Sequence, residues 1–156
     1  LVGYGATGDA HHIAAPDEQG SGAFKAMEFA LKDAGLDKTA VGYINAHGTS
    51  TPLGDKAEVG AVKRLFGDHA YKLAMSSTKS MTGHALGAAG GIETIPALMS
   101  IYEGILAPTI NLETPDEGFD LNFVPNVPQE AKVDVALNNT FGFGGHNVSL
   151  VFKRFS

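Results

Sequence analysis

A chain of 156 residues with 44% hydrophobic side chains and a mean hydropathy of +0.01 suits one domain with a real core and is thin for two. Its formal net charge of −6 argues against nucleic acid, whose binders need a dense basic face, and no apolar run approaches the ~20 residues that cross a bilayer. Cysteine is absent, which removes disulfides, thiolate metal sites and a thiol nucleophile from this chain.

The chain opens without an initiator Met on Leu1-Val2-Gly3-Tyr4-Gly5 and reads as a fragment or processed piece, with Leu1 to Tyr4 a short strand. Residues 3–8, GYGATG, match the glycine pattern of dinucleotide sites. That pattern needs a helix starting on the glycines. The chain instead continues DAHHIAAPDEQG, with Pro16 and no helical period, so the match is rejected. Phe24, Met27, Leu31 and Ala34 then recur at helical spacing, and Gly35 supplies the stop. Val41 to Ala46 is a strand ending at His47. A second helix is expected from Asp55, with Asp55 as cap and Glu58 three residues on, burying Val59, Val62, Leu65 and Phe66 and stopping at Gly67. Lys72 to Ser76 is a third strand. A helix from about Gly87 carries Ile92, Ile95, Leu98, Met99 and Tyr102 on one side, with Pro96 predicting a kink or a late start. A long loop with four prolines, Pro108, Pro115, Pro125 and Pro128, leads to strands Val133 to Thr140 and Asn147 to Phe152, joined by the turn FGFGG. Strands alternating with helices predict an α/β layer: a five-stranded mixed sheet with helices on both faces and its last two strands antiparallel.

Two strand ends carry the candidate chemistry. YINAHGTSTPLGD puts His47 at a strand terminus, where α/β proteins gather their sites, beside Gly48 and the hydroxyl residues Thr49, Ser50 and Thr51. Gly48 leaves room for a ligand to approach the backbone. TKSMTGHALGAAGG follows the next strand and delivers Lys79 and His84 to the same sheet edge. Two imidazole N–H donors converging on one point suit a carbonyl oxygen that becomes an enolate or oxyanion. Lys79 would set the charge balance, held by Glu93. In NNTFGFGGHNVSL, three glycines around Phe141 and Phe143 make a mobile turn; Phe141 reads as core. A metal site from His11, His12, His47 and His84 lacks both an H-x-x-x-H pair and acidic ligands and is set aside. His11, His69 and His146 read as structural or exposed.

NAHGTSTPLGD, SSTKSMTGHALGAAG and FGFGGHN, in this order, together with the loop PTINLETPDEGFDLNFVP, resemble the C-terminal half of an elongating type II β-ketoacyl-[acyl carrier protein] synthase, a member of the thiolase-like family. The resemblance spans residues 1–156. It implies the second of two similar five-stranded α/β halves, with a nucleophilic cysteine in an N-terminal half outside this chain. The implied reaction is a decarboxylative Claisen condensation between an acyl-enzyme and malonyl-acyl carrier protein in fatty acid elongation, with the isolated chain inactive. His47 and His84 would donate to the malonyl thioester oxygen, supported by Lys79 and Glu93. Thr49 and Thr51 would bind the phosphopantetheine arm, which arrives on the acyl carrier protein, so no cofactor or metal of its own is implied. Phe143 would act as a gate and His12 border the site. The implied partners are acyl carrier protein, the N-terminal half and a second copy in a homodimer, in the bacterial cytoplasm or in a plastid or mitochondrion. The rival readings are a non-catalytic chain-length-factor-like subunit, against which both histidines and Lys79 count, and a polyketide ketosynthase.

Overall fold

The computed structural model describes residues 1–155. In chain order its elements are β1 (Gly3–Gly8), α1 (Ser21–Ala34), β2 (Tyr43–Asn45), α2 (Pro52–Phe66), β3 (Ala74–Ser76), the single turn α3 (Lys79–Thr82), α4 (Ala89–Glu103), β4 (Ile105–Leu106), β5 (Gln129–Glu130), β6 (Val135–Gly142) and β7 (His146–Lys153). Five strands form one sheet in the order β1-β7-β6-β2-β3. β2 pairs in parallel with both β3 and β6, while β7 runs antiparallel to β6 and β1. The mixed sheet is therefore as expected.

Strand alternation assigns side chains to the two faces. Ile44, Val135, Leu137 and Val151 point to one side and pack with Met27 and Leu31 of α1 and Val62 and Phe66 of α2. Tyr43, Ala136 and Phe152 point to the other and pack with Ala97 and Ile101 of α4 and with Leu106 and Val124. Helices thus cover both faces. α1 ends as expected at Gly35, in the left-handed region with its N–H bonded to the last turn.

Four local expectations are corrected. β1 runs to Gly8, pairing Gly3 through Gly8 with β7, because the strand continues through the glycines of GYGATG. α2 begins at Pro52, not at Asp55: proline's fixed φ suits the first helical position, and Asp55 falls in the first turn. Glu58 does not close a capping box, since it is buried at 2% exposure and bonds elsewhere. α4 starts at Ala89 after a 3₁₀ turn at Leu86–Ala88 and runs through Pro96 to Glu103. It lies on the sheet with Ala89, Glu93, Ala97, Ser100 and Ile101, and turns Ile92, Ile95, Leu98, Met99 and Tyr102 outward. Small residues let this helix approach the sheet closely, which leaves its large apolar side chains on the far side. The proline-rich loop also contains a two-stranded ribbon, β4 with β5, that its composition did not announce.

Candidate active site

The parallel strands β2 and β3 end side by side, their ladder continuing to a last rung in which Ala46 N–H donates to the Ser76 carbonyl at 2.9 Å. Beyond it one strand end leads to His47 and the other to Lys79 and His84. The His47 and His84 rings meet edge to face with centroids 5.5 Å apart. Phe141, from the end of β6, lies 5.6 Å from the His47 ring and packs onto the core. Lys79 Nζ pairs with Glu93 Oε1 at 2.5 Å, both side chains buried. The sequence-derived quartet His47, His84, Lys79 and Glu93 is thereby assembled from three segments.

The electrostatics favour a donor role for the imidazoles. Burial, reinforced by the positive charge of Lys79 and by His84, pushes the His47 pKa down to about 3, so at neutral pH this ring is uncharged and carries one N–H. Its Nδ1 is buried with no hydrogen-bond partner among the described residues. His84 Nδ1 accepts the Leu86 N–H at 3.2 Å, which leaves the ring proton on Nε2. Burial raises the Glu93 pKa, opposed by the hydrogen bond and charge of Lys79.

Glu58, which the sequence offers as the capping-box partner of Asp55, is instead a buried neighbour of the site. Its oxygens accept the backbone N–H of His47 at 3.0 Å and of Gly48 at 2.9 Å, and Asn139 Nδ2 donates to it at 3.1 Å. Burial raises its pKa against the pull of these three donors. A signal for this role was present: Glu58, Ala61, Val62 and Leu65 follow i, i+3, i+4, i+7, so a carboxylate stands in the apolar stripe of α2. Asn45 is likewise buried beneath the site, donating to the Glu93 carbonyl at 3.0 Å and to Thr78 Oγ1 at 3.2 Å.

A cavity of about 840 Å³ adjoins the site, lined among others by Gly48, Thr49, Lys79, His84, Thr109 and Phe119. Thr51, Phe143 and His12 do not line it. Thr51 is exposed, its hydroxyl 3.2 Å from that of Thr49. Phe143 sits at the tip of the β6–β7 hairpin, 78% exposed. His12 is exposed, and its Nδ1 accepts the N–H groups of Ala14 and Ala15 to shape its own loop. That loop touches the hairpin tip through Gly144 N–H to the Ile13 carbonyl, 2.8 Å. No cluster of three or more His, Cys, Asp or Glu side chains that could hold a metal occurs among the described residues, and none of the described helices is long and apolar enough to cross a membrane.

Comparison with known proteins identifies the family of the chain. The family model of the β-ketoacyl synthase C-terminal domain matches residues 1–113. Proteins named 3-oxoacyl-[acyl-carrier-protein] synthase 2 are similar over almost the whole chain: that of Coxiella burnetii is 54% identical over 154 residues and that of Synechocystis 56% over 155, in each case 99% of this chain. The chain spans only 37% of the length of these relatives. Among solved structures, a β-ketoacyl synthase from Burkholderia phymatum superposes with a TM-score of 0.92 at 38% identity, over 99% of this chain and 37% of its own. A type II polyketide ketosynthase, solved with its acyl-carrier protein and bound to the hexaketide, superposes with a TM-score of 0.96 at 36% identity, over 99% of this chain and 38% of its own.

Proposed function

Because the chain belongs to the β-ketoacyl synthase family through its C-terminal domain, we propose that it supplies the histidine side of the active site of an elongating 3-oxoacyl-[acyl-carrier-protein] synthase. The observation that carries this reading is the edge-to-face His47–His84 pair, 5.5 Å between centroids, backed by the buried Lys79–Glu93 ion pair. Identity favours fatty acid elongation over polyketide assembly, at 54–56% to the curated synthases against 36% to the type II polyketide ketosynthase.

In this reading the acyl chain is carried as a thioester on a cysteine of the N-terminal half, outside this chain. Malonyl-acyl carrier protein brings its thioester carbonyl between the two imidazoles. The bond to the carboxylate breaks, CO₂ leaves, and the electron pair becomes a thioester enolate whose oxygen accepts the N–H of His47 and of His84. The enolate carbon attacks the acyl-cysteine carbonyl, and collapse of the adduct expels the cysteine thiolate and leaves a 3-oxoacyl group two carbons longer. A neutral His47 suits this step, because the donors are in place before charge builds on the oxygen and need no reorganisation. The buried Lys79–Glu93 pair holds the charge beside His84 fixed. Thr49 and Thr51 at the rim would hold the phosphopantetheine arm, with His12 at the border. Phe143 would gate the nucleophile, and a cytoplasmic homodimer would be the working form. The outward apolar face of α4 is where the rest of the polypeptide would pack.

The test is a pair of variants, His47→Ala and His84→Ala, in the full-length synthase. Each should slow malonyl decarboxylation roughly a hundredfold, the usual loss for one oxyanion donor. Acyl transfer to the cysteine should suffer less. Unchanged decarboxylation in both variants would show that the oxyanion is held elsewhere.

A further inference from the structure

Past the last backbone rung between β2 and β3, Asn45 Nδ2 still ties the end of β2 to Thr78 Oγ1 at 3.2 Å, but the His47 loop itself has little to keep it beside the loop carrying Lys79 and His84. A single hydrogen bond joins residues 47–51 to residues 77–86 among the described residues: Ser77 Oγ donates to the Gly48 carbonyl at 2.6 Å. Gly48 is built to receive it. Its φ is +35°, and a Cβ there would lie 2.7 Å from Ser77 Cβ and 2.9 Å from Ser77 Oγ. The space that the sequence suggested for a ligand beside His47 is therefore filled by Ser77. The bond is short and both of its partners are themselves held. Gly48 N–H donates to the buried Glu58 carboxylate at 2.9 Å. Ser77 N–H donates to Thr109 Oγ1 at 3.0 Å, and the Ser77 carbonyl accepts Ser80 Oγ at 2.8 Å. Ser80 Oγ in turn accepts the Ile110 N–H at 3.0 Å, so the 109–110 segment braces the second loop from behind.

We propose that Ser77 is a positioning residue of this site: its hydroxyl, seated in the space that Gly48 leaves, fixes the separation of the two histidine loops and so the spacing at which both imidazoles reach one oxygen. Neither Ser77 nor Gly48 touches the reacting atoms in this scheme, and the inference rests on the reading of the two histidines as joint donors to a malonyl thioester. Two substitutions disturb the clamp in opposite ways. Ser77→Ala removes the hydrogen bond and leaves the space. Gly48→Ala keeps the hydroxyl but forces a methyl group against it and strains a positive φ.

The experiment uses the full-length synthase and measures three things: malonyl decarboxylation, acyl transfer to the nucleophile, and the NMR titration of the His47 ring. In both variants decarboxylation should fall roughly tenfold to a hundredfold, the scale of a small misplacement of catalytic groups. Acyl transfer should stay within about twofold of wild type, because the altered spacing matters where two donors must share one oxygen. In Ser77→Ala the His47 titration midpoint should also rise, since burial is what holds it down and an opened loop admits water. Decarboxylation within about twofold of wild type together with an unmoved titration overturns the proposal, as does an equal fall in both steps accompanied by a lower melting temperature. If the wild-type synthase releases no CO₂ from malonyl-acyl carrier protein but the His47 midpoint still rises in Ser77→Ala, the reading of function fails and the clamp stands.

Discussion

Glu58 holds the backbone N–H of His47, and burial moves the Glu58 carboxyl and the His47 ring in opposite protonation senses. The imidazole is driven toward its neutral form, with a pKa near 3, while the Glu58 carboxyl is pushed up and held by three N–H donors. For His47 the consequence for stability has a definite sign. In the unfolded chain a histidine takes its proton below about pH 6.5, whereas the folded ring refuses it until about pH 3. Between those values the unfolded state binds more protons, so the His47 contribution is fully present above pH 6.5 and is lost as pH falls. The raised carboxyls Glu58, Glu93 and Asp55 act in the other direction, because their folded forms keep protons that the unfolded chain releases. A His47→Gln variant isolates the histidine, since those carboxyls are common to both proteins. The melting temperature of the variant relative to wild type should rise steadily from pH 7 to pH 4. Parallel melting profiles across that range would mean that His47 titrates normally in the folded protein.

At the scale of elements, the glycines of GYGATG show how one sequence pattern serves two purposes. They cradle no phosphate. A Cβ on Gly5 would lie 2.0 Å from the Ala26 carbonyl oxygen and one on Gly3 2.2 Å from that of Ala30, so α1 rests its backbone directly on β1. Gly5→Ala should therefore destabilise by about 3 kcal/mol, the upper end of ordinary overpacking, because the obstacle is backbone that cannot rotate away. Gly8→Ala, with nothing within 4 Å, should change little. Equal denaturation midpoints for the two variants would refute the close approach. The same logic explains what the sequence did and did not disclose. Alternation and helical period located β2, β6, β7, α1 and α2 because each buries an apolar stripe, and strand ends pointed to His47, Lys79 and His84. The stripe that the helical period picks out on α4, Ile92 to Tyr102, is its outer side: Ala89, Glu93, Ala97 and Ser100 make the sheet-facing side, and periodicity finds the most apolar stripe rather than the one that faces the sheet. Glu58 showed only as a carboxylate in the apolar stripe of α2, and Asn45 not at all, because the backbone groups that each of them binds are named by no residue pattern. The β6–β7 hairpin carries a dynamic prediction of its own. Phe143 projects from a tip whose Gly144 and Gly145 both have positive φ, while Phe141 is packed inside. Phe143→Ala in the full-length synthase should leave the melting temperature within about a degree, as for an exposed side chain, while malonyl decarboxylation ceases to depend on prior acylation. A drop of several degrees with coupling intact would make Phe143 a packing residue instead.

At the scale of the molecule, the question is what covers α4. Ile92, Ile95, Leu98, Met99 and Tyr102 are 40%, 62%, 42%, 42% and 77% exposed, along one side of a helix whose other side is already on the sheet. A contiguous apolar stripe of this kind marks an interface rather than a solvated face. Full burial of one such side chain is worth roughly 1.5–3 kcal/mol. About half of that surface is still open here, so covering all five would contribute on the order of 5 kcal/mol. The chain spans 37% of the length of its curated relatives, and under the proposed function the expected cover is the N-terminal half of such a synthase. One substitution in the full-length protein decides between covered and free. If the α4 face is solvated there, Ile95→Asp is a surface change and should alter stability by no more than about 0.5 kcal/mol. If the face is buried against the N-terminal half, the same substitution places an unpaired carboxylate in an apolar interface and should cost several kcal/mol. The expected result is the second: a melting temperature lowered by many degrees, and faster amide exchange along residues 89–103 than in wild type. A full-length Ile95→Asp protein as stable as wild type, with unchanged exchange in α4, would place the N-terminal half elsewhere and leave this helix a free surface.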